Sequence, residues 1–388
     1  MRTVLKRLLQ AFLVIVVLIA AAAIWKRDGI NRLIAVNSLF SEEKIVHNFS
    51  NMDQAFLTRT MSRGGTEPAA LPQGTPLTLP DGAEDWIAER SVTALVVLKN
   101  GAVRHESYHL GTDPEDRRIS WSVAKSFLSA LTGIVVEQGA IGSLDDPVEL
   151  YAPELKDSAY EGATIRNVLN MSSGVVFNED YLDFNSDINR MGRVLALGQS
   201  MDDFVASLTE TFAPPGETWQ YVSIDTHVIG MVIRGASGQS IPELLERHVI
   251  QKMGFEADPY YVTDGYGVAF VLGGLNLRTR DYARFGQMFL QDGHWNGQQI
   301  VPADWIAAST VPSAPTPTDE QRYGFQWWIA PNAPDGEYFA RGIYGQYIFI
   351  DTSRDVVIAL NSADRKFRKE GVNDANIAMF RTIAAALD

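Results

Sequence analysis

Residues 119–139 read ISWSVAKSFLSALTGIVVEQG. Between Arg118 and Glu137 this run carries one charge, Lys125, among Val123, Ala124, Phe127, Leu128, Ala130, Leu131, Ile134 and Val135. The pattern predicts a helix buried over most of its surface, where an ammonium group is costly unless it is paired or neutral. Burial in low dielectric lowers a lysine pKa, and a neutral amine is a general base. Ser122 stands three residues earlier, about one helical turn away on the same face. A helix start also offers unpaired backbone N–H groups, whose positive field favours an oxyanion and opposes a charged lysine. The S-x-x-K spacing therefore gathers a weak nucleophile, an amine to activate it and part of an oxyanion hole. The four residues alone also fit a serine cap followed by a lysine that reaches solvent, so the case depends on the surrounding chain.

On the N-terminal side, TALVVLKNGAVRHESYHLG (93–111) has two strand-like runs flanking Asn100-Gly101, a strong hairpin signal. On the C-terminal side, YGQYIFIDTSRDVVIALNS (344–362) reads as two strands around a turn, followed by a helix from about Asn373 to Leu387. Between these ends, residues 144–253 show short helical patterns broken by Pro and Gly. In TRDYARFGQMFLQDG (279–293), Tyr282, Phe285, Met288 and Phe289 recur at helical spacing. The expected class is α+β: an antiparallel sheet built from both chain ends, flanked by helices, with a mostly helical region inserted.

The 388 residues, 46% of them hydrophobic, suffice for a substantial core. A formal net charge of −14 argues against nucleic acid as a partner, because phosphate binding needs a basic surface. The absence of cysteine excludes disulfides, thiolate nucleophiles and Cys-ligated metals. His105 to His109, HESYH, satisfies the zinc-protease expression H-E-x-x-H, but that chemistry needs a helix and this copy falls in a predicted strand. His227 and His248 read as packed or surface residues. No G-x-S-x-G elbow is present. No metal or cofactor is expected.

At the N-terminus, Leu8–Trp25 is apolar except for Gln10, with Arg2, Lys6 and Arg7 before it and Lys26 and Arg27 after it. The run sits at the short end of the roughly 17–25 residues that span a bilayer and exceeds the roughly 7–15 of a signal-peptide core. It is expected to anchor the chain in a membrane, with cleavage near Ala20–Ala23 as the alternative. The basic flank places the bulk of the chain outside the cytoplasm, periplasmic if anchored and secreted if cleaved. The expected organisation is an anchor or signal (1–27), an extension and linker (28–84) ending in the Gly/Pro-dense 62–82, and a catalytic domain (85–388).

Six ordered segments carry a resemblance. They are SVAKSF (122–127), GSLDDPVELYAPEL (142–155), TIRNVLNMSSGV (164–175), PPGETWQYVSIDTHVIG (214–230), the run from Gly273 to Trp305, and RGIYGQYIFID (341–351). Over roughly residues 85–388 the chain resembles the serine β-lactamase and penicillin-binding-protein superfamily, in particular its class C-like group of esterases and 6-aminohexanoate-dimer hydrolases. The resemblance implies a β-lactamase/transpeptidase-like fold and a serine hydrolase acting on a small ester or amide. Ser122 would be acylated, Lys125 would take its proton, and Tyr221 would pass a proton to the leaving group. The backbone N–H groups of Ser122 and Ile343 would form the oxyanion hole. Ser223, Gly342 and Tyr344 would contact substrate, and GVVFNEDYLDFNSD (174–187) would supply the pocket residues Tyr181 and Asp187.

Two positions depart from the pattern. Ala340-Arg341-Gly342 stands where β-lactamases carry Lys-Thr-Gly, and Ser223 stands in place of the second-motif asparagine. Both weaken the reading of a penicillin-recognising D,D-peptidase or β-lactamase. A catalytically silent binding module of the same fold is a further alternative, opposed by the intact serine, lysine and tyrosine. Natural substrate and oligomeric state are not legible.

Overall fold

Asn100 and Gly101 both adopt left-handed backbone conformations, φ 52° and 74°, as a two-residue type I′ turn requires. The predicted hairpin follows, with Val92–Lys99 paired to Ala102–Tyr108. In the computed structural model, which describes residues 2–25, 27–65, 67–181 and 183–388, this hairpin is one edge of a seven-stranded antiparallel sheet. The spatial order is Ala102–Tyr108, Val92–Lys99, Val356–Ser362, Gln346–Asp351, Glu337–Gly342, Trp328–Ile329, Arg322–Tyr323. Strands from the two chain ends are therefore direct neighbours: Val97 lies opposite Ile358 and Leu95 opposite Leu360.

Alternation along the central strands feeds two cores, because successive side chains of a strand point to opposite faces. Val96, Leu98, Ile348, Ile350 and Val357 pack with the helix Thr279–Leu290 and the helix Ala124–Glu137. Leu95, Val97, Phe349, Ile358 and Leu360 pack with Trp86 of the helix Ala83–Glu89 and with Ile377 and Phe380 of the C-terminal helix Val372–Ala385. Helix and sheet approach closely at Gly286, where a Cβ would lie 2.6 Å from Val357 Cγ1 and 2.7 Å from Ile348 Cγ2. The inserted region, from about 142 to 258, is mostly helical and contributes the buried helix Asp225–Ser237.

A second sheet has four short strands in the order Leu57–Thr60, Tyr260–Thr263, Leu275–Leu277, Arg118–Ile119. Its last strand runs directly into the Ser122 segment. Its first belongs to the N-terminal extension, which continues the helix Arg27–Asn37 through the helices Ile45–Ser50 and Met52–Ala55. Leu39, Ile45, Phe49, Met52 and Met61 are buried in the same core as the Ala124–Glu137 helix. Residues 2–25 are helical, and the side chains of 2–18 are all exposed. Among the described residues no helix is long and apolar enough to cross a membrane. The span expected over Leu8–Trp25 extends into residues 19–25, whose side chains lie outside the description.

Candidate active site

Ser122 occupies a single 3-10 turn, Trp121–Val123, and the α-helix proper begins at Ala124. Ser122 is half-buried at the edge of a cavity, while Lys125 is 1% exposed and every residue from Ala124 to Val135 is buried. The lysine therefore does not reach solvent. Desolvation pushes its pKa down to about 7, against the opposing pull of Glu179 and Asp225.

The amine is oriented as well as buried. Lys125 Nζ donates to the Ser223 carbonyl and to Thr226 Oγ1, each at 3.2 Å. Thr226 Oγ1 in turn donates to Gln326 Oε1 at 2.8 Å, and the Gln326 carboxamide is held by its Nε2 donating to the Leu169 carbonyl at 2.8 Å. With its only hydrogen committed to Gln326, the Thr226 hydroxyl can only accept from the lysine. A neutral amine carries two hydrogens and one lone pair. Both hydrogens have partners, so the lone pair is the group left to receive a proton.

Tyr221 closes the other side. Its ring lies 5.5 Å from Lys125 Nζ and stacks on Trp328 with centroids 5.1 Å apart, and it lines the same cavity as Ser122. Burial raises its pKa well above the usual tyrosine value, so at neutral pH it is a phenol that can give or relay a proton. Ser223 serves through two backbone groups: its carbonyl accepts from Lys125 and its N–H donates to the Glu179 carboxylate.

The strand Glu337–Gly342 presses against the nucleophile turn. A Cβ on Gly342 would sit 2.7 Å from the Ser120 carbonyl oxygen, 3.0 Å from Ser122 N and 3.1 Å from Trp121 Cβ. Gly342 and Ile343 line the same cavity as Ser122, a space of about 330 Å³ that also touches Tyr221, Trp328 and Arg341.

Of the expected substrate contacts, Gly342 lines the cavity, while Ser223, Tyr181, Asp187 and Tyr344 are not among its lining residues. Asp187 lies in the first turn of the helix Asp187–Leu197, where its carboxylate accepts from Asn178 N at 2.9 Å and pairs with Arg190 at 2.8 Å. Tyr344 does not line the cavity. It stacks on Phe40 at 4.8 Å and meets Phe367 at 4.7 Å. Three contributors escaped the sequence: Glu179, Thr226 and Gln326. Glu179 and Thr226 lie inside segments already singled out, two residues before Tyr181 and five after Tyr221, but no local pattern marks them.

His105 lies in the strand Ala102–Tyr108 and His109 just past its end, each with a ring nitrogen 3.0 Å from the Ser107 hydroxyl. Among the described residues no cluster of His, Asp and Glu is placed to hold a metal ion.

Residues 81–379 match the β-lactamase family model. The chain belongs to the β-lactamase family. It is similar to a 6-aminohexanoate-dimer hydrolase of Paenarthrobacter ureafaciens, 29% identical over 342 residues that cover 83% of this chain and 86% of the relative. It is 24% identical to penicillin-binding protein 4* of Bacillus subtilis, over 55% of this chain and 52% of that one. The fold is shared with a solved Bacillus anthracis structure described as a 6-aminohexanoate-dimer hydrolase, with a TM-score of 0.80, 24% identity, and coverage of 90% of this chain and 96% of the other. Like its β-lactamase-family relatives, the protein is a hydrolase. It departs from the β-lactamase pattern in placing Arg341, one position after the missing lysine, at the cavity wall.

Proposed function

We propose that this hydrolase cleaves small amides or esters through an acyl-enzyme on Ser122. The observation that carries the reading is the Lys125 amine, its hydrogens held by Ser223 and Thr226 and its pKa depressed to about 7. Lys125 takes the Ser122 proton as Oγ attacks the carbonyl carbon, and the backbone N–H groups of Ser122 and Ile343 receive the oxyanion. Tyr221 delivers a proton to the departing amine or alcohol as the tetrahedral intermediate collapses. Water then attacks the acyl group by the reverse proton path, releasing the acid and restoring Ser122.

The cavity rim suggests the substrate class. Arg341 lies over the Trp328 ring, its guanidinium carbon 4.1 Å from the centroid, with no carboxylate within ion-pair distance among the described residues, and Arg368 and Lys369 line the same cavity. A guanidinium in this setting suits a carboxylate. A linear amide that ends in a carboxylate, the chemistry named in the Paenarthrobacter relative, fits this rim. The same rim keeps a carboxylate-bearing β-lactam in view as the second reading. We further propose that the apolar N-terminal run tethers the enzyme to a membrane with its catalytic domain outside the cytoplasm.

The test is hydrolysis of p-nitrophenyl acetate and butyrate and of the 6-aminohexanoate linear dimer by the parent protein, Ser122→Ala and Lys125→Ala, with intact-mass detection of the adduct. Activity and an acyl adduct confined to the parent support the reading. Equal inertness of all three proteins refutes it, and a stable adduct with a fluorescent penicillin alone moves the assignment to the second reading.

A further inference from the structure

Trp121 precedes the nucleophile with φ at 43°, and Tyr344 follows the second oxyanion donor, Ile343, with φ at 60°. Positive φ is unfavourable for a bulky side chain and persists where the surroundings over-determine it. The surroundings here are one aromatic cluster that joins both residues. Trp121 and Tyr344 lie 6.4 Å apart, and two further rings fill the space between and beside them. Phe40 stacks on Tyr344 at 4.8 Å and 14° and lies 5.6 Å from Trp121. Phe49, fully buried, meets Trp121 at 5.5 Å and Tyr344 at 5.4 Å, both edge-on.

Phe40 and Phe49 come from the N-terminal extension, before the family-matched residues begin at 81. That extension is fastened where it bears on the site. The buried Arg118 donates from Nη1 to the Val46 carbonyl at 2.8 Å and to Ser50 Oγ at 2.7 Å. Arg365 pairs with Glu42 at 2.7 Å, and Leu57–Thr60 pairs with Tyr260–Thr263.

We infer that residues 39–61 are a functional part of the active site, with Phe40 and Phe49 as positioning residues that hold the nucleophile turn and the Ile343–Tyr344 turn at a fixed separation. Neither ring lines the cavity or touches the reacting atoms. Each acts through the backbone of Trp121 or Tyr344, and so through the two N–H groups assigned to the oxyanion hole. The inference rests on the acyl-enzyme reading of Ser122. An oxyanion hole is effective because its donors are placed before charge develops, and misplacing one donor costs transition-state stabilisation while leaving ground-state binding nearly intact.

The test compares the parent, Phe40→Ala, Phe40→Tyr and Phe49→Leu, each checked for thermal unfolding. The readouts are p-nitrophenyl butyrate kinetics, the pH profile and inhibition by phenylboronic acid, which forms a tetrahedral adduct on an active serine. Phe40→Ala is expected to lower kcat about tenfold or more with KM within about twofold, and to weaken boronate inhibition by a similar factor. The acid limb of the pH profile stays in place because Lys125 is untouched, and Phe40→Tyr retains parental kinetics. Folded Phe40→Ala and Phe49→Leu proteins with parental kcat and boronate affinity overturn the inference, as does a loss of kcat that merely tracks the unfolded fraction. A parent protein that neither turns over ester nor binds boronate refutes the Ser122 reading itself, and the positioning role falls with it.

Discussion

Lys125 is held near neutrality by two opposed influences. Burial drives its proton off, while the Glu179 and Asp225 carboxylates draw it back. Both acids are pushed upward by their own burial, Asp225 to about 7, where it accepts from Tyr160 at 2.7 Å and Ser173 at 2.8 Å. The proposed mechanism needs the neutral amine, so activity is expected to rise with pH through about 7 as Lys125 loses its proton. Glu179→Gln removes a negative charge that favours the ammonium. The acid limb of kcat/KM should therefore move to lower pH, toward the value that burial alone sets. An unchanged or upward-shifted limb in that variant would show that Glu179 does not act on Lys125 electrostatically.

At the scale of elements, the site is a contact between a strand and a helix start. Glu337–Gly342 approaches the Trp121–Val123 turn so closely that a methyl at Gly342 would meet Ser120, Trp121 and Ser122 within about 3 Å. Gly342→Ala must move the strand, the turn or both, and crowding of this kind typically costs about 1–3 kcal/mol. The expected outcome is a folded protein with a modestly lowered melting temperature and a disproportionate loss of kcat/KM, about tenfold or more, because the displaced groups are the proposed oxyanion donors. Parental kcat/KM in a folded Gly342→Ala protein would locate the oxyanion hole elsewhere. The Asn100-Gly101 hairpin and the helix at 279–290 were legible from local pattern, since turn chemistry and apolar periodicity are written in neighbouring residues. The pairing of Val356–Ser362 with Val92–Lys99 was legible only in outline, because register depends on which apolar faces meet across some 260 residues of intervening chain.

The whole molecule divides its N-terminal 61 residues by burial. The side chains of residues 2–18 are exposed, whereas Leu39, Ile45, Phe49, Met52 and Met61 belong to the main core. Removing residues 1–27 is expected to leave the melting temperature and hydrolase activity near parental values and, under the proposed tether, to shift the protein from the membrane to the soluble fraction on cell fractionation. Removing residues 1–61 deletes an edge strand and a fully buried Phe49, whose loss alone is worth about 3–5 kcal/mol, and should give insoluble or unfolded protein. A stable, active protein beginning at residue 62 would contradict the place of the extension in the core.

By itself the sequence determined the chemistry available to this protein. A lone lysine among apolar neighbours is expected to be buried, burial lowers its pKa, and the S-x-x-K spacing sets a serine about one turn earlier. Those consequences follow from composition and spacing within twenty residues. Only the tertiary structure decided how that chemistry is aimed. Thr226 reaches Lys125 from 101 positions away, Gln326 reaches Thr226 from a further 100, and Phe40 reaches Tyr344 across some 300. Nothing in a hydroxyl, an amide or a phenyl ring states which distant neighbour it will meet. That is settled by the packing of the two sheet faces and of the N-terminal extension against them, where small differences in close contact, not local preference, choose the partner.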